Sequence, residues 1–208
     1  MRILLADDHT MFLDGLEALL ARSGLDVVAK VADGREAVQM TRELAPDVTV
    51  LDLAMPVMNG VTAARQIHKL APETQTILLT MFEDDAYVLE ALQAGVRGYV
   101  LKAQAPEELV SAVREVMRGS VYLSPGVSKA VVDAYLGGGG PPNDALSDRE
   151  RQILQLIAEG NTTKEAARTL GVSVKTAEAH RTRVMQKLEV HDTASLVRRA
   201  IRLGVIQP

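Results

Sequence analysis

The chain has 208 residues and not one cysteine, which excludes disulfides, thiolate–zinc sites and cysteine nucleophiles. It has no apolar run long enough to span a bilayer. The amino terminus, Met1-Arg2-Ile3-Leu4-Leu5-Ala6-Asp7-Asp8, meets two carboxylates too early for a secretory signal. These absences point to a cytoplasmic protein with no membrane partner. No internal repeat is visible, and no glycine-rich loop follows the first apolar run. Two acids stand there instead, against the phosphate cradle that a nucleotide or flavin fold needs.

What is present divides the chain in two. Apolar residues make up 47%, enough for a buried core and too many for wholesale disorder. Residues 1–144 carry 12 Lys/Arg against 20 Asp/Glu, whereas residues 145–208 carry 11 against 7. The sign of the charge changes at a glycine-rich seam, Gly137 to Gly140 followed by Pro141-Pro142-Asn143-Asp144. That pattern suggests two domains with different partners, the basic one suited to nucleic acid. As flexible coil, the seam would span roughly 16 Å.

In the first 120 residues, strand-like runs at Ile3–Ala6, Asp26–Val31, Val48–Leu51, Thr76–Leu79 and Gly98–Leu101 alternate with amphipathic stretches. The stretches cover Met11–Arg22, Arg35–Leu44, Gly60–Leu70, Ala86–Ala94 and Pro106–Arg118. Strict alternation favours a parallel sheet with helices on both faces, a doubly wound (βα)5 α/β domain over residues 1–120. A further helix from Ser124-Pro125 to about Leu136, with the seam, forms a linker over 121–145. Residues 146–208 read as a small all-α domain of four short helices. Ser147 and Glu150 form a capping box at its start, Gly160 stops the first helix, and Gly171-Val172-Ser173 makes a turn before the third.

Polar residues at the ends of the strand-like runs carry the chemistry. Asp7, Asp8, Asp52, Thr80 and Lys102 each follow one, and the carboxyl ends of parallel strands gather at one sheet edge. Three converging carboxylates repel one another unless a cation sits among them, and an all-oxygen site suits Mg2+. A carboxylate can attack phosphorus to give an aspartyl phosphate; Asp52, after the central strand, is placed for that role. Lys102 supplies a point charge for phosphate oxygens and Thr80 a hydroxyl. Hydrolases working through an aspartyl phosphate commonly use a second acid two residues on. Ala54 stands there and can transfer no proton, so a turnover enzyme is not expected.

The strings Ala6-Asp7-Asp8-His9, Leu51-Asp52-Leu-Ala-Met-Pro-Val-Met-Asn-Gly60, Leu78-Leu-Thr80-Met81 and Gly98-Tyr99-Val-Leu-Lys102 resemble a response-regulator receiver domain. The resemblance implies Mg2+ held by Asp7, Asp8, Asp52 and the backbone carbonyl of Ala54. It also implies that Asp52 takes phosphate from a sensor histidine kinase. Thr80 and Tyr99 would be a switch pair, the hydroxyl drawn toward phosphate while the ring turns inward.

In the second half, Val174, Ala177, Val184 and Leu188 recur on one side of the third helix. Cations, hydroxyls and small groups fill the opposite side, as a groove-reading helix requires. Leu146-Ser-Asp-Arg-Glu150, Ile153 to Gly160, Thr163-Lys164-Glu165, Leu170-Gly-Val-Ser-Val-Lys175-Thr176 and His180-Arg181 resemble the LuxR-type (NarL/FixJ) helix-turn-helix domain. The resemblance implies that Glu178, Ala179 and Thr182 face bases of double-stranded DNA. Lys164, Lys175, Thr176, Arg181 and Arg183 would lie on phosphates, the stem of Arg181 packing near the apolar stripe. Leu196, Val197 and Ala200 on the last helix would join two copies. Together the two resemblances imply a two-component regulator in which phosphorylation controls dimerisation, DNA binding and transcription, with RNA polymerase a further partner to consider. Two departures stand out: alanine at both 177 and 179, which makes base readout shallow, and Glu189 at a helix end where the family usually has glycine. His180 and His191 lack the companion ligands of a metal site.

Overall fold

The structure, a computed structural model, describes residues 1–81, 85–125, 127, 146–203 and 205–206. Most of the expected linker helix and the whole 137–144 seam lie outside these residues. Among the described residues, no helix is long and apolar enough to cross a membrane.

Strands β1 (Arg2–Ala6), β2 (Asp26–Val31), β3 (Val48–Asp52), β4 (Gln75–Thr80) and β5 (Gly98–Leu101) alternate with α1 (Thr10–Arg22), α2 (Gly34–Leu44), α3 (Gly60–Leu70), α4 (Asp85–Gln93) and α5 (Ala105–Met117). These elements match the expected ones to within a residue or so at each end. A sixth strand, β6 (Tyr122–Leu123), is absent from the sequence-based expectation, because two residues give no periodicity to read. All pairings are parallel and the order is β2-β1-β3-β4-β5-β6.

Successive strand residues point to opposite faces, and this divides the first half into two cores. Ile3, Leu5, Val48, Val50, Ile77 and Leu79 pack beneath α1 and α5. Leu4, Leu51, Leu78 and Tyr99 pack against α2, α3 and α4 on the other side. Asp33 caps α2 by accepting from the Arg35 and Glu36 amides, and Asn59 caps α3 through Thr62. Each satisfies amides that a helix start leaves bare.

The second half holds α6 (Asp148–Ala158), α7 (Thr163–Leu170), α8 (Val174–Lys187) and α9 (Thr193–Arg202) around a third core. Ser147 and Glu150 close the expected capping box, and Thr162 with Glu165 closes another at α7. Two expectations are corrected. Val174 is 41% exposed, since at the first turn of α8 it lies beyond the core that Ala177 and Val184 enter. Leu196 and Ala200, expected to join two copies, are fully buried. They are the inner stripe of α9, so the chain's own core consumes them and only half-buried Val197 keeps some exposure. Glu189 adopts a left-handed φ of 52°, so the junction glycine usually makes is made here by a residue that finds it costlier.

Candidate functional site

At the carboxyl edge of the sheet, the ends of β1, β3, β4 and β5 bring the expected polar residues together. Asp7 and Asp52 are buried at 1% and 2% exposure, Thr80 is fully buried, and Asp8 faces outward. The Lys102 ammonium reaches Asp7 Oδ2 at 2.8 Å and Asp52 Oδ1 at 3.0 Å, and lies 5.2 Å from the centre of the Phe12 ring. Asp52 Oδ2 is buried with no hydrogen-bond partner, an acceptor left unsatisfied.

Burial pushes the Asp52 carboxyl up to about 6; Lys102 opposes the rise and Asp7 adds to it. Burial works against the Lys102 ammonium as well, yet Asp52 and Asp7 outweigh it and hold Lys102 above its ordinary range. Two buried acids facing one cation leave unbalanced negative charge, and added positive charge would relieve it. Ligand atoms from Asp7, Asp8, His9 and Asp52 all lie within 4.8 Å of one another. Of these four, His9 is the one that sequence reasoning misses. Its Nδ1 lies 2.9 Å from Asp7 and 3.0 Å from Asp8, and its hydrogen bond to Asp7 raises its pKa. The adjacency of His9 to the two acids was the available signal.

The segment after β3 is fixed by close backbone approach. Gly60 donates to Leu53 O at 2.9 Å, and a Cβ there would overlap the backbone oxygen of Asp52. Val57 sits at φ 65°, an outlier for a β-branched residue. Tyr99 is fully buried and belongs to the core beneath α2, α3 and α4.

On α8, Lys175, Thr176, Glu178, Ala179, Thr182 and Arg183 are all exposed, as is Lys164 on α7. Arg181 also has partners within the second half, which the sequence did not disclose. Its guanidinium donates to Thr163 Oγ1 at 3.0 Å and Thr193 Oγ1 at 2.9 Å, tying the starts of α7 and α9 together. Ala177 is buried, so of the two alanines only Ala179 can meet a groove.

Comparison with known proteins agrees with this two-part fold. A family model described as response regulator receiver domain matches residues 3–114, and one described as bacterial regulatory proteins, luxR family, matches residues 144–200. The oxygen regulatory protein NreC of Staphylococcus carnosus is 39% identical over 211 residues, covering 97% of each chain. The RcsB response regulator of Salmonella typhimurium shares 28% identity at a TM-score of 0.60, covering 96% of this chain and 97% of that one. RcsB from Salmonella enterica serovar Typhimurium bound to promoter P1flhDC in the presence of phosphomimetic BeF3− shares 29% identity at a TM-score of 0.68, covering 95% and 96%.

Proposed function

This chain belongs to the response regulators that join a receiver domain to a luxR-family DNA-binding domain and control transcription, and we propose that phosphorylation of Asp52 by a sensor histidine kinase is its input. The carrying observation is the buried Asp52 carboxylate, with one oxygen on Lys102 and the other unpartnered. Attack by that free oxygen on a phosphohistidine would form an Asp52 acyl phosphate and return the imidazole as leaving group.

Asp7, Asp8 and Asp52, with the Ala54 carbonyl, would hold Mg2+; their all-oxygen donors and unbalanced charge fit a hard dication. When bound, the ion supplies charge neutralisation for phosphoryl oxygens. Lys102 would follow the new oxygens, loosening its hold on Asp7. Thr80, one strand over, offers a hydroxyl to them. The modification adds about one to two negative charges in a buried crevice. Thr80, Tyr99 and Lys102 then bias the neighbouring elements toward the active arrangement.

The output is read by α8. Glu178, Ala179 and Thr182 face base edges, while Lys164, Lys175, Thr176 and Arg183 meet phosphates. Two copies would place their α8 helices one helical turn apart, about 34–36 Å, with RNA polymerase as the downstream partner. The test is phosphorylation-dependent selection of duplex fragments by the purified chain. Enrichment of a shared sequence with acetyl phosphate and Mg2+, lost in Asp52→Asn, is the expected result. Equal enrichment by Asp52→Asn would instead make this a phosphorylation-independent binder.

A further inference from the structure

Helix α6 has an apolar stripe and a polar one, yet every residue from Glu150 to Ile157 is buried. A helix covered on all sides has a second body against its polar face, and here that body is the receiver. Gln155, 1% exposed, donates from Nε2 to Met55 O at 2.6 Å and accepts at Oε1 from the Asn59 amide at 2.9 Å. Both ends of one side-chain amide are thus spent on the segment that joins Asp52 to α3. Glu159, one turn further, accepts from the Val57 amide at 3.3 Å and is braced by Gln155 Nε2 at 2.8 Å.

Ion pairs flank this grip. Arg65 on α3 donates to Asp148 at 2.6 Å, and buried Arg151 pairs with Glu90 on α4. A cleft of about 310 Å³ beside Asp8 and Ala54 has Ala158 and Glu159 as its far wall. The DNA-binding half therefore borders the phosphorylation crevice itself. Val57 is kept left-handed inside the gripped segment; such outliers persist where the surroundings over-determine them. The base-facing side of α8 takes no part in this contact and stays exposed.

We infer that α6 is the element by which the second half reads the receiver, with Gln155 and Glu159 as positioning residues, and that the gripped form is competent to bind DNA. The inference rests on the proposed duplex reading. Communication runs through the 55–59 segment, which follows Asp52 by three residues, and the α8 face need not be uncovered.

Because the chain has no cysteine, the double variant Arg65→Cys/Asp148→Cys carries the only two thiols, and a short bismaleimide locks the gripped form. Affinity for a mixed-sequence 30-base-pair duplex is then read by fluorescence anisotropy, with and without the lock. Kd values within about twofold are expected. A locked form more than tenfold weaker would overturn the inference while leaving the DNA reading intact. Failure of both forms and of the wild-type chain to bind would overturn that reading and this inference with it. In the full chain, Gln155→Ala should speed hydrogen exchange at the Asn59 and Val57 amides at least tenfold. Unchanged exchange at both would remove Gln155 from the grip.

Discussion

The acidic crevice and the exposed face of α8 handle charge in opposite ways. In the crevice, two buried carboxylates share one lysine and lie deep enough to lift Asp52 to about 6. On α8, Lys175 and Arg183 stand in solvent, where screening keeps single charges cheap. The first surface stores electrostatic free energy that a small modification can redistribute. The second stores almost none until a polyanion arrives and displaces its counterions. The proposed switch and the proposed reader would need those opposite properties, and the sheet edge and the helix surface have them.

The contrast is broken most completely at Asp52. Asp52→Asn should abolish base-labile phosphate incorporation from acetyl phosphate and Mg2+, measured by mass spectrometry, while duplex binding by the unmodified chain persists. The same variant tests the stored free energy. A carboxyl raised in the fold binds protons there that the unfolded chain has already lost, so its stability cost grows as pH rises from about 4 through about 6. Without divalent ions, Asp52→Asn should therefore be more stable than wild type at pH 8, by about 3 kcal/mol for a rise from about 4 to about 6. The difference should vanish near pH 4, and urea melts across that range would show whether it does.

Next in size is the inner stripe of α9. Leu196→Ala should cost about 2–5 kcal/mol, seen in melts of the second half, with Asp52 phosphorylation unchanged. Wild-type stability with impaired pairing would return Leu196 to the dimer surface. Smaller is Arg183→Ala, which should weaken binding to all duplexes alike and reduce the log–log salt slope by about 0.9 for each phosphate no longer neutralised. A loss confined to one base step would contradict a phosphate role. Smallest is Glu189→Gly, which relieves the left-handed junction after α8 and should raise stability by about 1 kcal/mol.

These two surfaces also differ in how readily the sequence discloses them. Topology alone sends Asp7, Asp52, Thr80 and Lys102 to one sheet edge, because every parallel strand ends there. Alternation in strands as short as β1 is enough to place them. A helix surface demands more: a shift of one residue turns a side chain by about 100°. So Leu196 and Ala200 read as outward when they point in, and the hold of Arg181 on Thr163 and Thr193 goes unread. The grip of Gln155 is not legible at all. A glutamine on the polar side of an amphipathic helix looks solvated until another body is brought against it, and nothing local encodes that approach. Val57 gives a weak signal, a β-branched residue directly after Met55-Pro56 in a turn.

The unforeseen two-residue strand β6 ties the segment after α5 back onto β5. Tyr122 and Leu123 pair with Gly98 and Tyr99. Ser124 donates its amide to Tyr99 O at 3.0 Å and accepts at its hydroxyl from the Leu101 amide at 3.2 Å. Both of these bonds end on β5 within three residues of Lys102, so the first residues beyond the fifth unit are stitched to the strand that leads into the crevice's only ammonium among the described residues.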